Sequence, residues 1–256
     1  MTRSLNKVAA APAASSAPAK RLRADERAQQ ILQAAIAFFA KYGLDGQMRV
    51  LASEIGITHT LLYHYFPTKQ ALIERVYVEL FEGRWRADWE QLLDSRHMST
   101  EEKFFHFYCD YADTVLNREF VRIFVFSGLN DYFITDRFFA LLRERLFPRL
   151  IRETRKLRGI TSRAKPSTAE FELLMGLHGG IFYCGVRRWI YGQEPKTAAQ
   201  SDVHQIIHHR VRSYLLSAAE VLHDDDIACK RLPAPAARRA MPATRSLDSR
   251  TTIKRT

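Results

Sequence analysis

Residues 52–69 read ASEIGITHTLLYHYFPTK. The stretch has the pattern of two short helices joined by a tight turn and followed at once by the start of a third. Leu51, Ile55, Ile57, Leu62 and Tyr65 supply the buried contacts that hold the two short helices across one another. Ala52 is small where the second helix crosses closely. Gly56 stands where the first short helix ends, a position that calls for positive φ, which costs glycine little. Thr58 offers its hydroxyl as N-cap to the next helix. A bland amphipathic hairpin satisfies the apolar positions but rarely matches Ala, Gly and Thr at these offsets too. The pattern is a helix-turn-helix, and it implies a DNA reader.

Outward from this stretch the sequence reads as helix. Ile31, Leu32, Ala35, Phe38, Phe39 and Tyr42 form the apolar face of a first helix that ends at Gly43. Thr68 caps a fourth helix, predicted to run past Leu72, Val76, Leu80, Trp85, Trp89 and Leu92 to about Leu93. Ser99 with Glu102 forms a capping-box pattern. Thr135 is the expected N-cap of a helix through Phe138, Leu141, Leu142 and Leu146, kinked near Pro148. Two late segments, Phe171 to Trp189 and Val203 to Ala218, keep i, i+3, i+4, i+7 spacing. No strand-like alternation bounded by turns stands out, so the fold class is all-α.

Length and charge narrow the functional classes. The 256 residues are enough for one small and one medium domain. No apolar run reaches 18 residues, so no membrane span is expected, and AAAPAASSAPA after the first basic residues is no secretory signal. Cys109, Cys184 and Cys229 are widely separated, which fits a reducing cytoplasm. Of the formal net charge of +11, residues 1–24 hold +5 and residues 227–256 hold +7, leaving −1 for 25–226. The high charge therefore belongs to two Ala-, Pro-, Ser- and Arg-rich tails that read as disordered, 1–24 and 226–256. Lys20, Arg21 and Arg23 precede the first helix and are placed to attract phosphate. In the body, the local placement of donors is the argument for DNA, not a globally basic surface.

About residues 25–72 resemble the DNA-binding domain of the TetR family of transcriptional regulators. The likeness rests on ILQAAIAFFAKYG at Ile31 to Gly43, LASEIGIT at Leu51 to Thr58, LLYHYF at Leu61 to Phe66, and the Thr68-Lys69 pair with Leu72. It implies a three-helix DNA-binding domain over 25–70, followed over 71–225 by a larger helical effector-binding and dimerisation domain. It further implies a homodimer, paired through the last two long helices, on a palindromic double-stranded DNA operator. Gly176, Gly179, Gly180 and Gly185 permit close helix approach; packing within one chain is the alternative use for them.

Carried over residue by residue, the resemblance places His59 and Thr60 at base edges. Arg49 falls where some members reach a guanine, a task its bidentate fork suits. Tyr63, Tyr65 and Lys69 fall at phosphate positions, and Lys69 also lies in the first turn of a helix, where anions are favoured. Thr58 combines capping with a phosphate bond. The chain departs from the family at Thr60, where Gly or Pro is common, at Leu61, where Thr or Ser is common, and at Gln47-Met48. The operator sequence is thus not legible.

Between Phe104 and Phe139 one residue in three is aromatic. Such residues are mostly core, yet the excess points to a cavity for a small apolar or aromatic effector. Tyr108, Tyr111, Arg122, Asn130, Met175, His178 and Tyr183 are the candidates to line it, with the fourth helix as lever between domains. The resemblance implies a repressor released by its ligand. No Gly-rich phosphate loop, GxSxG or HExxH occurs, so no enzyme and no cofactor are expected. His204 and His208 stand i, i+4 without an obvious third ligand, and no metal is expected. A helical interaction module, or a protein that binds DNA without sequence choice, is the alternative.

Overall fold

The computed structural model describes residues 24–130, 132–162, 164–193 and 200–228; Lys20, Arg21, Arg23, Cys229 and nearly all of both tails lie outside them. Every regular element among the described residues is helical.

Helix α1 (Ala24–Tyr42) buries Ile31, Leu32, Ala35, Ile36, Phe38 and Phe39 along one face. It stops at Gly43, whose φ of 83° lets its amide turn back to the Phe39 carbonyl at 2.9 Å. Helices α2 (Met48–Glu54) and α3 (His59–Tyr65) form the helix-turn-helix. Gly56 has φ 67°; its amide donates to the Ser53 carbonyl at 3.1 Å and the Ile57 amide to Ala52 at 3.0 Å. This pair of bonds is a Schellman closure, and it satisfies carbonyls that the end of α2 leaves open.

Thr68 caps α4 (Lys69–Tyr77) by accepting from the Ala71 amide at 3.0 Å. Here the structure corrects the expected long helix. A π-helical turn over Val78–Glu82 follows, closed by the Gly83 amide on the Val78 carbonyl at 2.7 Å, and Arg86 is extended before α5 (Ala87–Asp94) begins. Leu80 and Phe81 within this turn are both buried.

The remaining body consists of α6 (Thr100–Val115), α7 (Arg118–Gly128), α8 (Phe133–Leu141), α9 (Phe147–Leu157), α10 (Thr168–Trp189) and α11 (Gln200–Ala228). The Ser99–Glu102 capping box opens α6. Thr135 is not an N-cap: α8 starts earlier, and the Thr135 hydroxyl donates to the Tyr132 carbonyl at 2.9 Å. Ser127, at the end of α7, takes the capping role by accepting from the Ile134 amide at 3.1 Å. A second π-helical turn, Leu142–Leu146, links α8 to α9 just before Pro148, whose ring crowds the preceding turn and supplies no amide donor.

One apolar core runs from α1 to α11. Two buried ion pairs stitch its far end: Lys103 of α6 to Glu153 of α9 at 2.8 Å, and Arg155 of α9 to Glu170 of α10 through Nε at 2.6 Å. On α10, Gly185 packs within the chain, since an added Cβ would meet Val121 at 2.9 Å, whereas Gly176 and Gly179 face open space.

Candidate nucleic-acid interface and effector core

The two cap geometries fix what α3 can present. With α2 closed at Gly56, Thr58 adopts an extended conformation and its hydroxyl accepts from the Leu61 amide at 3.2 Å. Leu62 turns fully inward and anchors the helix. Thr58, His59 and Thr60 are therefore left exposed at the N-terminal end of α3, with Tyr63 and Tyr65 half-buried behind them. The His59 and Tyr63 rings meet edge to face at 4.6 Å, as i, i+4 neighbours on one helix face do. Leu61 is half-buried rather than fully turned to solvent.

Electrostatics favour an anion at this surface. Arg49 stands exposed in the first turn of α2, and Lys69 opens α4. Among the described residues neither has an acid within ion-pair distance. The acids flanking Arg49 in sequence are engaged elsewhere: Asp45 accepts from Asn130 at 2.9 Å, and Glu54 accepts from the Tyr42 hydroxyl at 2.6 Å and pairs with Lys41 at 3.7 Å. A helix-turn-helix with an exposed leading turn and two unneutralised cations has the form of a groove reader.

The comparisons agree with that form. The profile described as bacterial regulatory proteins of the TetR family matches residues 31–76. The match spans helices α1 to α4, the segment that holds the helix-turn-helix. The structure is similar to that of a TetR-like transcriptional regulator from a Rhodococcus species, at TM-score 0.57 and 18% identity over 77% of this chain and 99% of that one. A TetR family transcriptional regulator from Pseudomonas syringae is similar at TM-score 0.51 and 18% identity, over 76% of this chain and 96% of that one. At these identities the likeness concerns the fold. No curated protein matches the chain.

The candidate effector residues divide into two groups. Tyr108 and Tyr111 of α6 and His178 of α10 come together in the core, all buried, with Met175 half-buried one turn before His178. The Tyr111 hydroxyl lies 3.4 Å from His178 Nε2. Tyr108 Oη and His178 Nδ1 are buried without a hydrogen-bond partner among the described residues. Desolvation lowers the His178 pKa to about 4 and raises those of both tyrosines, so all three groups are neutral at ordinary pH.

Arg122, Asn130 and Tyr183 lie elsewhere. Arg122 donates through Nε to the Ala40 carbonyl in the last turn of α1, and through Nη1 to the Trp189 carbonyl at 3.3 Å. Asn130 donates to Asp45 at 2.9 Å. Both tie the helical body to the DNA-binding helices instead of lining a pocket. Tyr183 is exposed on the outer face of α10, its ring edge-on to Tyr191.

Two core groups escaped the sequence reading: the Tyr214 hydroxyl of α11 and Thr154 Oγ1 of α9, 3.1 Å apart. Periodicity placed Tyr214 on an apolar face, and nothing local marks Thr154. His204 and His208 point to different acids, Asp113 at 3.0 Å and Glu101 at 3.6 Å, and share no site. Cys109 and Cys184 are free thiols, and burial pushes that of Cys109 up to about 12.

Proposed function

We propose that the chain is a dimeric, ligand-released transcriptional repressor acting in the cytoplasm. The observation that carries the reading is the leading turn of α3: a Schellman closure and a Thr58 cap hold His59 and Thr60 exposed, in a domain where Arg49 and Lys69 have no acid within ion-pair distance among the described residues. In this reading His59, Thr60 and Arg49 read base edges. Thr58, Tyr63, Tyr65 and Lys69 hold phosphates. Residues 25–70 form the DNA-binding domain and 71–225 the effector and dimerisation domain.

The outer face of α10 and α11 supports pairing with a second copy. Gly176 and Gly179 of α10 face open space, and Tyr183 of α10 and Leu216 of α11 are exposed large apolar side chains. A two-fold dimer gives a two-fold operator. The buried Tyr108–Tyr111–His178 cluster supports an effector site, because unpaired polar atoms within an aromatic core are what a ligand can satisfy.

Selection of bound duplexes from a random DNA library by the purified full chain, at about 0.15 M salt, tests the reading. Enrichment of one palindrome is expected. Uniform binding that vanishes as salt rises would assign the chain instead to non-specific DNA binding or protein docking.

A further inference from the structure

We propose that the effector core takes an uncharged molecule bearing a hydroxyl or carbonyl group on an aromatic body, and rejects carboxylates and ammonium ions. The inference rests on the effector reading above and names the ligand chemistry of the same core.

The argument begins with the hydrogen-bond inventory. Thr154 donates to the Leu150 carbonyl at 3.0 Å, which leaves its oxygen to accept from Tyr214 at 3.1 Å; that pair is complete. The Tyr111–His178 contact, at 3.4 Å, is long for an O–H to nitrogen bond and is readily given up. Among the described residues Tyr108 Oη and His178 Nδ1 have no hydrogen-bond partner, although both side chains are more than nine-tenths buried. Tyr108 is 6.0 Å from His178 and 6.3 Å from Tyr111 between ring centroids, so the three side chains form one cluster. Buried groups are seldom left unpaired, and two in one cluster mark a place where a further polar group fits.

The inventory also fixes what that group must do. A phenol oxygen can donate or accept, and the imidazole nitrogen does one or the other according to its tautomer. A ligand hydroxyl can serve both atoms, and a carbonyl can accept from both. The cluster's own three polar groups are neutral, so they offer a charged ligand no counter-charge. Two buried ion pairs of the same core, Lys103 with Glu153 and Arg155 with Glu170, are closed on themselves. A carboxylate could gain a counter-ion only by protonating His178, which its burial resists. The walls are aromatic: Phe138 and Phe147 lie 6.4 and 5.6 Å from His178, and Phe107 lies 4.9 Å from Tyr108. Such walls suit a ring-bearing ligand.

The test uses the full chain with three probes of one shape, 4-ethylphenol, ethylbenzene and 4-ethylbenzoate, read by calorimetric titration and by shift of the unfolding midpoint. The phenol is expected to bind about ten- to a hundredfold more tightly than the hydrocarbon, and the benzoate not to bind. Tyr108→Phe removes an oxygen with no partner, so the ligand-free variant is expected to unfold at or above the parent's midpoint. The same variant should lose the preference for phenol over hydrocarbon. A purely structural role for the hydroxyl would lower the midpoint instead. Equal or tighter binding of the hydrocarbon or the benzoate, failure of all three probes to bind, or an unchanged preference in Tyr108→Phe overturns the ligand class. The underlying regulator reading fails on a different readout, the absence of any selected duplex.

Discussion

Arg122→Ala should loosen the DNA-binding helices from the body, because this one guanidinium reaches into both. Its Nε donates to Ala40 in the last turn of α1, and its Nη1 donates to Trp189 in the last turn of α10 at 3.3 Å. Each acceptor sits at a helix C-terminus, where the partial negative charge of the backbone favours a cation by about 0.3–1 kcal/mol. A hydrogen bond from a charged donor contributes about 1.5–3 kcal/mol. Arg122 is half-buried, so water replaces part of what is lost, and the guanidinium's position 5.4 Å over the Phe126 ring adds little. A net loss of about 2–3 kcal/mol follows, read as a fall in urea midpoint at unchanged slope. Arg122→Lys, which keeps the charge but not the fork, should recover about half of that loss. The functional consequence is geometric. A looser pair of readers should tolerate half-sites moved one base pair closer or farther, measured by fluorescence anisotropy on respaced versions of the selected duplex. If stability falls as expected but spacing preference stays as sharp as the parent's, the clasp is structural only and the reasoning fails.

Three further outcomes are expected. His59→Ala should alter preference at one operator position at a cost of about 1–3 kcal/mol, whereas Lys69→Ala should weaken all duplexes alike and reduce the salt slope by about one ion; identical selection profiles and slopes in the two variants would remove the division of labour. Burial lowers the His178 pKa from 6.5 to about 4, so between those values the unfolded chain binds a proton that the folded chain refuses. The associated stability is whole above pH 6.5 and is lost as pH falls toward 4, by about 3 kcal/mol at 1.36 kcal/mol per unit; chemical denaturation across this range should show a slope that His178→Gln flattens. Lys103→Met leaves Glu153 buried, with Lys156 as its remaining cation, and should cost about 3 kcal/mol by urea unfolding.

The parts of the fold legible in the sequence are those fixed within about five residues. Gly43 and Gly56 at helix ends, Thr58 and Thr68 as caps, and the Ser99–Glu102 box all act on backbone groups of their own turn, so residue type and offset suffice. The misread elements depend on partners the sequence does not place nearby. Periodicity alone continues the fourth helix, but the π-helical turn carries Phe81 against Phe120 and Phe124 of α7 and Phe138 of α8, partners far away in sequence. Thr135 looks like a cap until Ser127, from the preceding helix, fills that role. Arg122 in an aromatic stretch reads as a pocket donor, yet its acceptors lie 82 and 67 residues away. The candidate site follows the same rule: the reader's exposed turn is local and legible, whereas the polar core is assembled from α6, α9, α10 and α11 and was only half seen.

The broken fourth helix also bears on how a ligand in the core could act on DNA. A continuous rod from Lys69 to Leu93 would carry any displacement near Trp89 directly to the reader. The rod is interrupted twice, by the π-helical turn at Val78–Glu82 and by extended Arg86, so α5 and α4 need not move together. Helix α7 has no such break. Its Phe120 and Phe124 pack against Phe138, which lies 6.4 Å from His178. Its Arg122 holds the end of α1, and Phe126 touches the Gly43 turn that follows. One 11-residue helix therefore contacts the wall of the polar core on one side and the DNA-binding helices on the other. A ligand that binds two positions of α7 unequally would shift the reader by that difference in affinity and no more. The route through α7 makes a definite demand: Phe124→Ala, which hollows the contact to Phe138 without touching the reader, should weaken ligand-driven release more than it weakens operator binding, and comparable losses in both would return the lever to α4.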